Sequence, residues 1–244
     1  MKTLKRMKRS IFTTCLLAAV AIVFLAGAAH AAPITIFNTG VNNSGVPLTD
    51  TGSGVGATGD PHYTLIAVPS GTTDIQVLTS ARGYPIDGST WLNDDLISAW
   101  IGPNTDHDAN GANGGAYTYR TTFNLSGFDP TTASLTGQWA ADNGLLWFIP
   151  SMEFGIWLNG VSTGYSGGDF GFWTPFTISS GFIAGVNTLD FTVWNGGGPT
   201  GLRVEVTGSA DVQSGGPQVP EPTTMLLLGL GLMGLAGARR KFQK

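Results

Sequence analysis

The stretch AYTYRTTFNL, residues 116–125, puts Tyr117, Tyr119, Thr121, Phe123 and Leu125 on one side of the chain and Thr118, Arg120 and Thr122 on the other. A period of two belongs to an extended strand with one face on a core and one in water. It recurs in NTLDFTVWN, where Leu189, Phe191 and Val193 alternate with Thr188, Asp190 and Thr192. In GLRVEVTG, Leu202, Val204 and Val206 alternate with Arg203 and Glu205. Further strands are predicted at ITIFN (34–38), YTLIAV (63–68), TDIQVLT (73–79), SAWIG (98–102), ASLTGQWAA (133–141), EFGIWLNG (153–160) and DFGFWTPFTI (169–178). No long window carries a 3.6-residue period, and Gly, Asn, Asp and Pro interrupt the chain at short intervals. The pattern predicts an all-β fold, a two-sheet antiparallel jelly-roll sandwich. The outward Arg120, Asp190, Arg203 and Glu205 are expected to be solvated or paired across strands.

The two ends of the chain follow a different rule. Residues 1–31 begin with Lys2, Lys5, Arg6, Lys8 and Arg9, continue as an apolar run over 11–29 and close on Ala29-His30-Ala31. This is the pattern of a secretory signal helix cut by signal peptidase, here after Ala31. An uncleaved anchor is the competing reading, since the run approaches the roughly 20 residues that span a bilayer. At the other end, Val219-Pro220-Glu221-Pro222 leads into residues 223–238, which carry no charge, and then into Arg239, Arg240 and Lys241. That run is short for a span of roughly 20 residues, and Gly229, Gly231, Gly234 and Gly237 weaken it as a permanent anchor. The basic stop nevertheless orients a transmembrane helix over 223–238 with the rest of the chain across the membrane. The expected organisation is a signal peptide at 1–31, a sandwich at 32–212, a flexible linker at 213–219 and a C-terminal signal at 220–244.

Charge and cysteine content narrow the function. Five of the 12 Lys and Arg lie in the first segment and four in the tail, leaving Arg82, Arg120 and Arg203. Fifteen of the 16 acidic residues lie in 32–219, so that part carries 3 minus 15, a formal charge of −12. Phosphate backbones need clustered Lys and Arg, so a nucleic-acid partner is disfavoured. The single cysteine, Cys15, lies in the leader, which removes disulfides and thiolate chemistry from the exported part. A single domain of about 180 residues can hold itself by its core alone.

Three local patterns carry chemistry. In GPNTDHDANGANGG, Asp106, Asp108, Asn110 and Gly111 reproduce the opening of a calcium loop, where alternate oxygens converge on a hard cation. The twelfth position is Tyr117 rather than glutamate, which excludes a full EF-hand. Two readings stand: a truncated Ca2+ site completed by a distant carboxylate such as Asp94 or Asp95, or a solvated turn. Trp157, Tyr165, Asp169 and Trp173 form a candidate glycan platform, because sugar rings offer apolar faces flanked by hydroxyls; the alternative is that these rings fill the core. Gly164-Tyr165-Ser166-Gly167-Gly168 matches G-x-S-x-G but lacks the strand-to-helix context of a nucleophile elbow. His62 and the pair Glu153 and Glu205 gain no partner from the sequence, so no catalytic residue is assigned.

Two resemblances follow from these residues. Trp139, Asp142 and Asn143, then Leu158-Asn159-Gly160, Gly185, Asn187, Leu189, Trp194 and Asn195, resemble the strand series of galactose-binding-like jelly rolls over residues 116–212. That resemblance implies a carbohydrate-binding module. The end of the chain, 219–244, is similar to the PEP-CTERM sorting domain of Gram-negative bacteria that make extracellular polysaccharide. DPHYTL at 60–65 and WLNDDLISAWI at 91–101 resemble segments of other proteins with this signal. The resemblance implies that an exosortase recognises Pro220, Glu221 and Pro222, cleaves nearby and delivers the protein from the inner membrane to the cell surface or biofilm matrix. Together these imply a secreted, non-catalytic sandwich associated with extracellular polysaccharide and membrane-tethered before processing. The alternatives are a structural or adhesive matrix protein without a glycan site, and a carbohydrate-active enzyme.

Overall fold

The computed structural model describes residues 31–48, 58–69, 75–78, 84–86, 90–103, 113–142 and 154–213. Among these residues eleven strands run in chain order: β1 (Ala31–Pro33), β2 (Thr64–Ala67), β3 (Gln76–Leu78), β4 (Trp100–Gly102), β5 (Gly115–Asn124), β6 (Ser134–Asp142), β7 (Gly155–Leu158), β8 (Val161–Ser162), β9 (Thr174–Ile178), β10 (Val186–Asn195) and β11 (Gly201–Asp211). They form two antiparallel sheets. One has the order β3-β4-β11-β6-β9 with β1 also on β11, and the other the order β2-β5-β10-β7-β8. Among the described residues there is no α-helix, only a 3-10 turn at Pro130–Thr132 capped by Asp129. No helix among them is long and apolar enough to cross a membrane.

The alternation places the core. Tyr117, Tyr119, Phe123, Leu189, Phe191, Val193, Ile156 and Leu158 face inward from one sheet, and Leu135, Trp139, Phe176, Leu202, Val204 and Val206 from the other. Phe191 sits at the centre, with ring centroids 6.0 Å from Trp139, 6.1 Å from Phe176 and 6.5 Å from Tyr63. Gly137 allows the tight approach of the Phe176 ring, since a Cβ there would lie 2.7 Å from Phe176 Cζ and 2.2 Å from the Glu205 carbonyl oxygen. On β9, an edge strand, Pro175 gives up a main-chain donor, a common protection against stray pairing.

Three expectations are corrected. ITIFN at 34–38 is not a strand; pairing in this region is confined to Ala31–Pro33, and the following residues lie along β11 through Ile34 N–H to Gly208 O (2.9 Å) and Val206 N–H to Asn38 Oδ1 (2.7 Å). The stretch 153–160 is not one strand either. Asn159 (φ 53°) and Gly160 (φ 77°) make a two-residue turn between β7 and β8, and positive φ at both positions is what a type I′ hairpin requires. Phe154 leaves the core face of Ile156 and Leu158 because Gly155 (φ 135°) breaks the alternation, and it packs on Trp194 at 5.7 Å.

The third correction concerns Arg203, which is not solvated but 1% exposed. The outer face of the six-stranded sheet carries a second apolar cluster of Ile86, Trp91, Trp100 and Ala140, packed by Leu92, Phe170 and Trp173. This cover excludes water from a face that the alternation in β11 assigns to solvent.

Candidate functional site

The four platform residues occupy three separate places. Trp157 lies on the outer face of the five-stranded sheet, opposite Asp190 and Ser162 in register. Asp190 is in turn opposite Arg120, so that a row Arg120-Asp190-Trp157-Ser162 crosses the sheet. The guanidinium grips Asp190 in a fork, Nε to Oδ1 at 2.6 Å and Nη2 to Oδ2 at 2.7 Å. That bond raises the Arg120 pKa and leaves its charge matched. Thr118 and Thr192 bond across the neighbouring row at 3.1 Å. This face therefore offers a half-buried ring among hydroxyls and one neutralised ion pair.

Asp169 and Trp173 belong to the cover on the opposite side of the sandwich. Asp169 Oδ1 accepts from Gly171 N–H at 2.7 Å, closing its own turn. Trp173 lies over the Arg203 guanidinium, 4.9 Å from its carbon, a cation–π contact. Arg203 Nε donates to Ser98 Oγ (2.8 Å), and Nη2 donates to Ser98 O (3.1 Å) and pairs with Asp95 Oδ2 (2.7 Å). Its Nη1 also donates to Asn93 O. Glu205 accepts from Ser98 Oγ at 2.9 Å and from Gln138 Nε2 at 2.7 Å, so both its carboxylate oxygens are engaged. Asp95 Oδ1 meanwhile accepts from Ile97 and Ser98 N–H. The network pins segment 93–98 to the sheet.

Tyr165 stands at the third place, where the two sheets part. The chain leaving β8 stays beside β7: Thr163 N–H donates to Ile156 O and Ile156 N–H to Tyr165 O, each at 3.0 Å. Gly155 must be glycine for this, since a Cβ would lie 2.0 Å from the Tyr165 carbonyl oxygen. The Tyr165 ring meets Phe176 edge-on at 6.2 Å, and its hydroxyl donates to Thr177 O on β9 at 2.8 Å. It thereby bridges the edge strands of both sheets. Beside it lies an open cleft of about 420 Å³, walled by Leu158, Val161, Thr163, Ile178, Ser179 and Ser180 among others. Ser179 and Ser180 escape the sequence reading; a Ser-Ser-Gly turn after a predicted strand is the only signal they give.

Other sequence candidates find plain surroundings. His62 stacks on Phe37 at 3.6 Å and 5°. Its neighbour Asp60 accepts from the N–H groups of Gly40, His62 and Tyr63. Burial raises the Asp60 pKa, and those three bonds oppose the rise. Ser166 lies in a glycine-rich loop that leads to β9 and not to a helix. Among the described residues no three His, Cys, Asp or Glu side chains are grouped to hold a metal ion. Asp106, Asp108, Asn110 and Glu153, the leader up to His30, and the signal at 220–244 lie outside the described residues.

β11 ends at Asp211, and seven residues further on begins the stretch that compares with known proteins. Residues 218–241 match the PEP-CTERM protein-sorting motif. The PEP-CTERM match spans Pro220-Glu221-Pro222, the uncharged run and Arg239-Arg240-Lys241, and stops short of the sandwich. A PEP-CTERM motif implies an exported protein addressed to an exosortase, with a membrane-associated C-terminal signal and a surface destination. No curated protein and no solved structure matches the chain.

Proposed function

We propose that this is an exosortase-processed protein of the surface or extracellular matrix of a Gram-negative bacterium, whose sandwich is a non-catalytic, polysaccharide-associated module of the galactose-binding-like jelly-roll type. The observation that carries the reading is the PEP-CTERM motif following a folded β-sandwich. Two features of the sandwich support the polysaccharide half. Trp157 stands on an open sheet face among threonines and a neutralised ion pair, and Tyr165 borders a hydroxyl-rich cleft. The non-catalytic half is supported by Glu205, whose two oxygens are both committed to Ser98 and Gln138.

Mass spectrometry of the protein recovered from the cell surface tests the sorting claim; the expected product begins at Ala32 and ends near Pro222. An intact tail in a host with active exosortase would refute processing. Co-sedimentation with the host's own extracellular polysaccharide tests the association. Recovery wholly in the polysaccharide-free fraction would refute it and leave a structural or adhesive role. Release of sugar from that polysaccharide by the purified protein would refute the non-catalytic half.

A further inference from the structure

We propose that the cleft between the edges of β8 and β9 seats an uncharged sugar unit of a neutral polysaccharide chain. The inference rests on the polysaccharide reading above and deepens it by assigning the site and the charge class of the ligand.

The cleft is built from two kinds of surface. Leu158, Ile178 and Val161 supply apolar contact, and the Tyr165 ring stands between the sheets with them. Thr177, Ser179 and Ser180 add hydroxyl-bearing residues, while the Thr163 hydroxyl is already committed to Ile156 O at 2.6 Å. β8 and β9 each end their sheet, so main-chain donors and acceptors along these edges are not used by another described strand. A purely apolar guest would strip water from these polar groups without replacing its hydrogen bonds, which is costly. A sugar unit presents apolar C–H faces and hydroxyls together, matching both surfaces. The volume of about 420 Å³ falls in the range of small-molecule sites, about 300–1,000 Å³. Tyr165 is fixed before any ligand arrives, by its main-chain bond to Ile156, its hydroxyl on Thr177 and its ring on Phe176. Preorganisation of this kind lowers the ordering cost of binding.

Charge then selects among sugars. Among the described residues, no Asp, Glu, Lys, Arg or His lines the cleft. A cationic sugar would be desolvated there without a carboxylate to receive it. An acidic chain would approach a domain of formal charge 3 minus 15, or −12, with three arginines. Of these, Arg120 is matched by Asp190, and Arg203 is buried with Asp95. Arg82 lies outside the described residues, and one further cation leaves the net −12 in place, so the domain repels an acidic polymer over a Debye length of about 10 Å at 0.1 M salt. What remains is a neutral chain.

The test uses the full-length protein in detergent and affinity electrophoresis or calorimetry against dextran, galactomannan, polygalacturonate and hyaluronan. Binding is expected to at least one neutral polymer and to neither acidic one. Val161→Trp and Ser180→Trp fill the cleft from opposite walls at exposed positions, and each is expected to weaken that binding by tenfold or more. Leu96→Ala, exposed on the segment that covers the other sheet and absent from the cleft wall, is the control and is expected to stay within about twofold, while Trp157→Ala reports on the sheet-face alternative. Unchanged melting temperatures show that the Trp variants are folded. If both filled variants bind normally while Trp157→Ala loses binding, the cleft is refuted and the polysaccharide reading survives. A preference for the acidic polymers refutes the charge assignment. Absence of binding to all four, together with absence from the host polysaccharide fraction, refutes both.

Discussion

Tyr119 and Trp139 are fully buried between the sheets, yet among the described residues the Tyr119 hydroxyl and the Trp139 Nε1 have no hydrogen-bond partner. Burial drives the Tyr119 pKa far above the usual phenol range, so the group stays neutral and its hydroxyl has simply lost its water. Removing an unsatisfied buried hydroxyl without changing the ring relieves a cost of about 1–3 kcal/mol. Tyr119→Phe is therefore expected to raise stability, and a gain of about 1 kcal/mol would lift Tm by about 2–4 °C in thermal unfolding. Gly155 lies at the opposite extreme. With φ at 135° and a Cβ site 2.0 Å from the Tyr165 carbonyl oxygen, Gly155→Ala must break the bond from Ile156 to Tyr165. A loss of about 2 kcal/mol or more is expected in denaturant unfolding, with weaker neutral-glycan binding because Tyr165 is set free.

The cover on the six-stranded sheet depends on one element, segment 93–98, and on the arginine beneath it. Asp95 is partly desolvated, which alone would raise its pKa; the N–H bonds of Ile97 and Ser98 and the Arg203 guanidinium outweigh this and hold it below the usual carboxylate range. A lowered folded-state value means the stabilisation is complete above the ordinary Asp pKa of about 3.9 and is lost as pH falls through the depressed value. Acidification below about pH 4 is thus expected to loosen the Trp91–Trp100 pair, whose rings lie 4.3 Å apart, seen as a red shift of Trp emission. The shift should lose its acid dependence in Asp95→Asn. Arg203→Ala, which strands Ser98 and Asp95, is expected to cost about 2–4 kcal/mol. This cover is also the part of the fold least legible in the sequence. β5, β10 and β11 could be read because each has one face on the core and one toward water. Trp100 and Ile101 lie in a strand buried on both faces, where alternation carries no signal. Alternation places Arg203 on the outer face, where it lies, but as a solvated or cross-strand-paired residue; it is instead buried under a cover that comes from segments remote in sequence. For the candidate site, Tyr165 could be singled out as an aromatic in a glycine-rich loop. Its separation from Trp157 and Trp173 depends on sheet register, which composition does not fix.

At the scale of the whole molecule, the register of β1 on β11 decides the orientation. Ala31 pairs with Asp211, Ala32 with Ala210 and Pro33 with Ser209, so the chain enters the sandwich at the end where β11 leaves it. The Ser126–Asp129 loop is at that same end, through Gln213 N–H to Gly127 O and Asp129 N–H to Asp211 O, each 2.8 Å. The connection from β10 to β11, with Gly197 and Gly198, lies at the other end of β11, an 11-residue strand and hence about 36 Å away. From Gln213 to Thr223 a chain of this length can reach at most about 36 Å. While the PEP-CTERM signal is held in the membrane, the end with Gly127 must therefore stay close to the bilayer and the Gly197–Gly198 end point away. A short epitope inserted at either place meets open space, since nothing lies within 4 Å of a Cβ at Gly127, Gly197 or Gly198. In a Pro220→Ala, Glu221→Ala, Pro222→Ala variant, expected to stay tethered, antibody added to spheroplasts should bind the epitope at Gly197–Gly198 and bind the one at Gly127 severalfold less. In the processed protein the two should bind alike. Equal binding in the tethered variant would mean that the linker holds the sandwich clear of the bilayer, and the orientation set by β1 and β11 would have no consequence before processing.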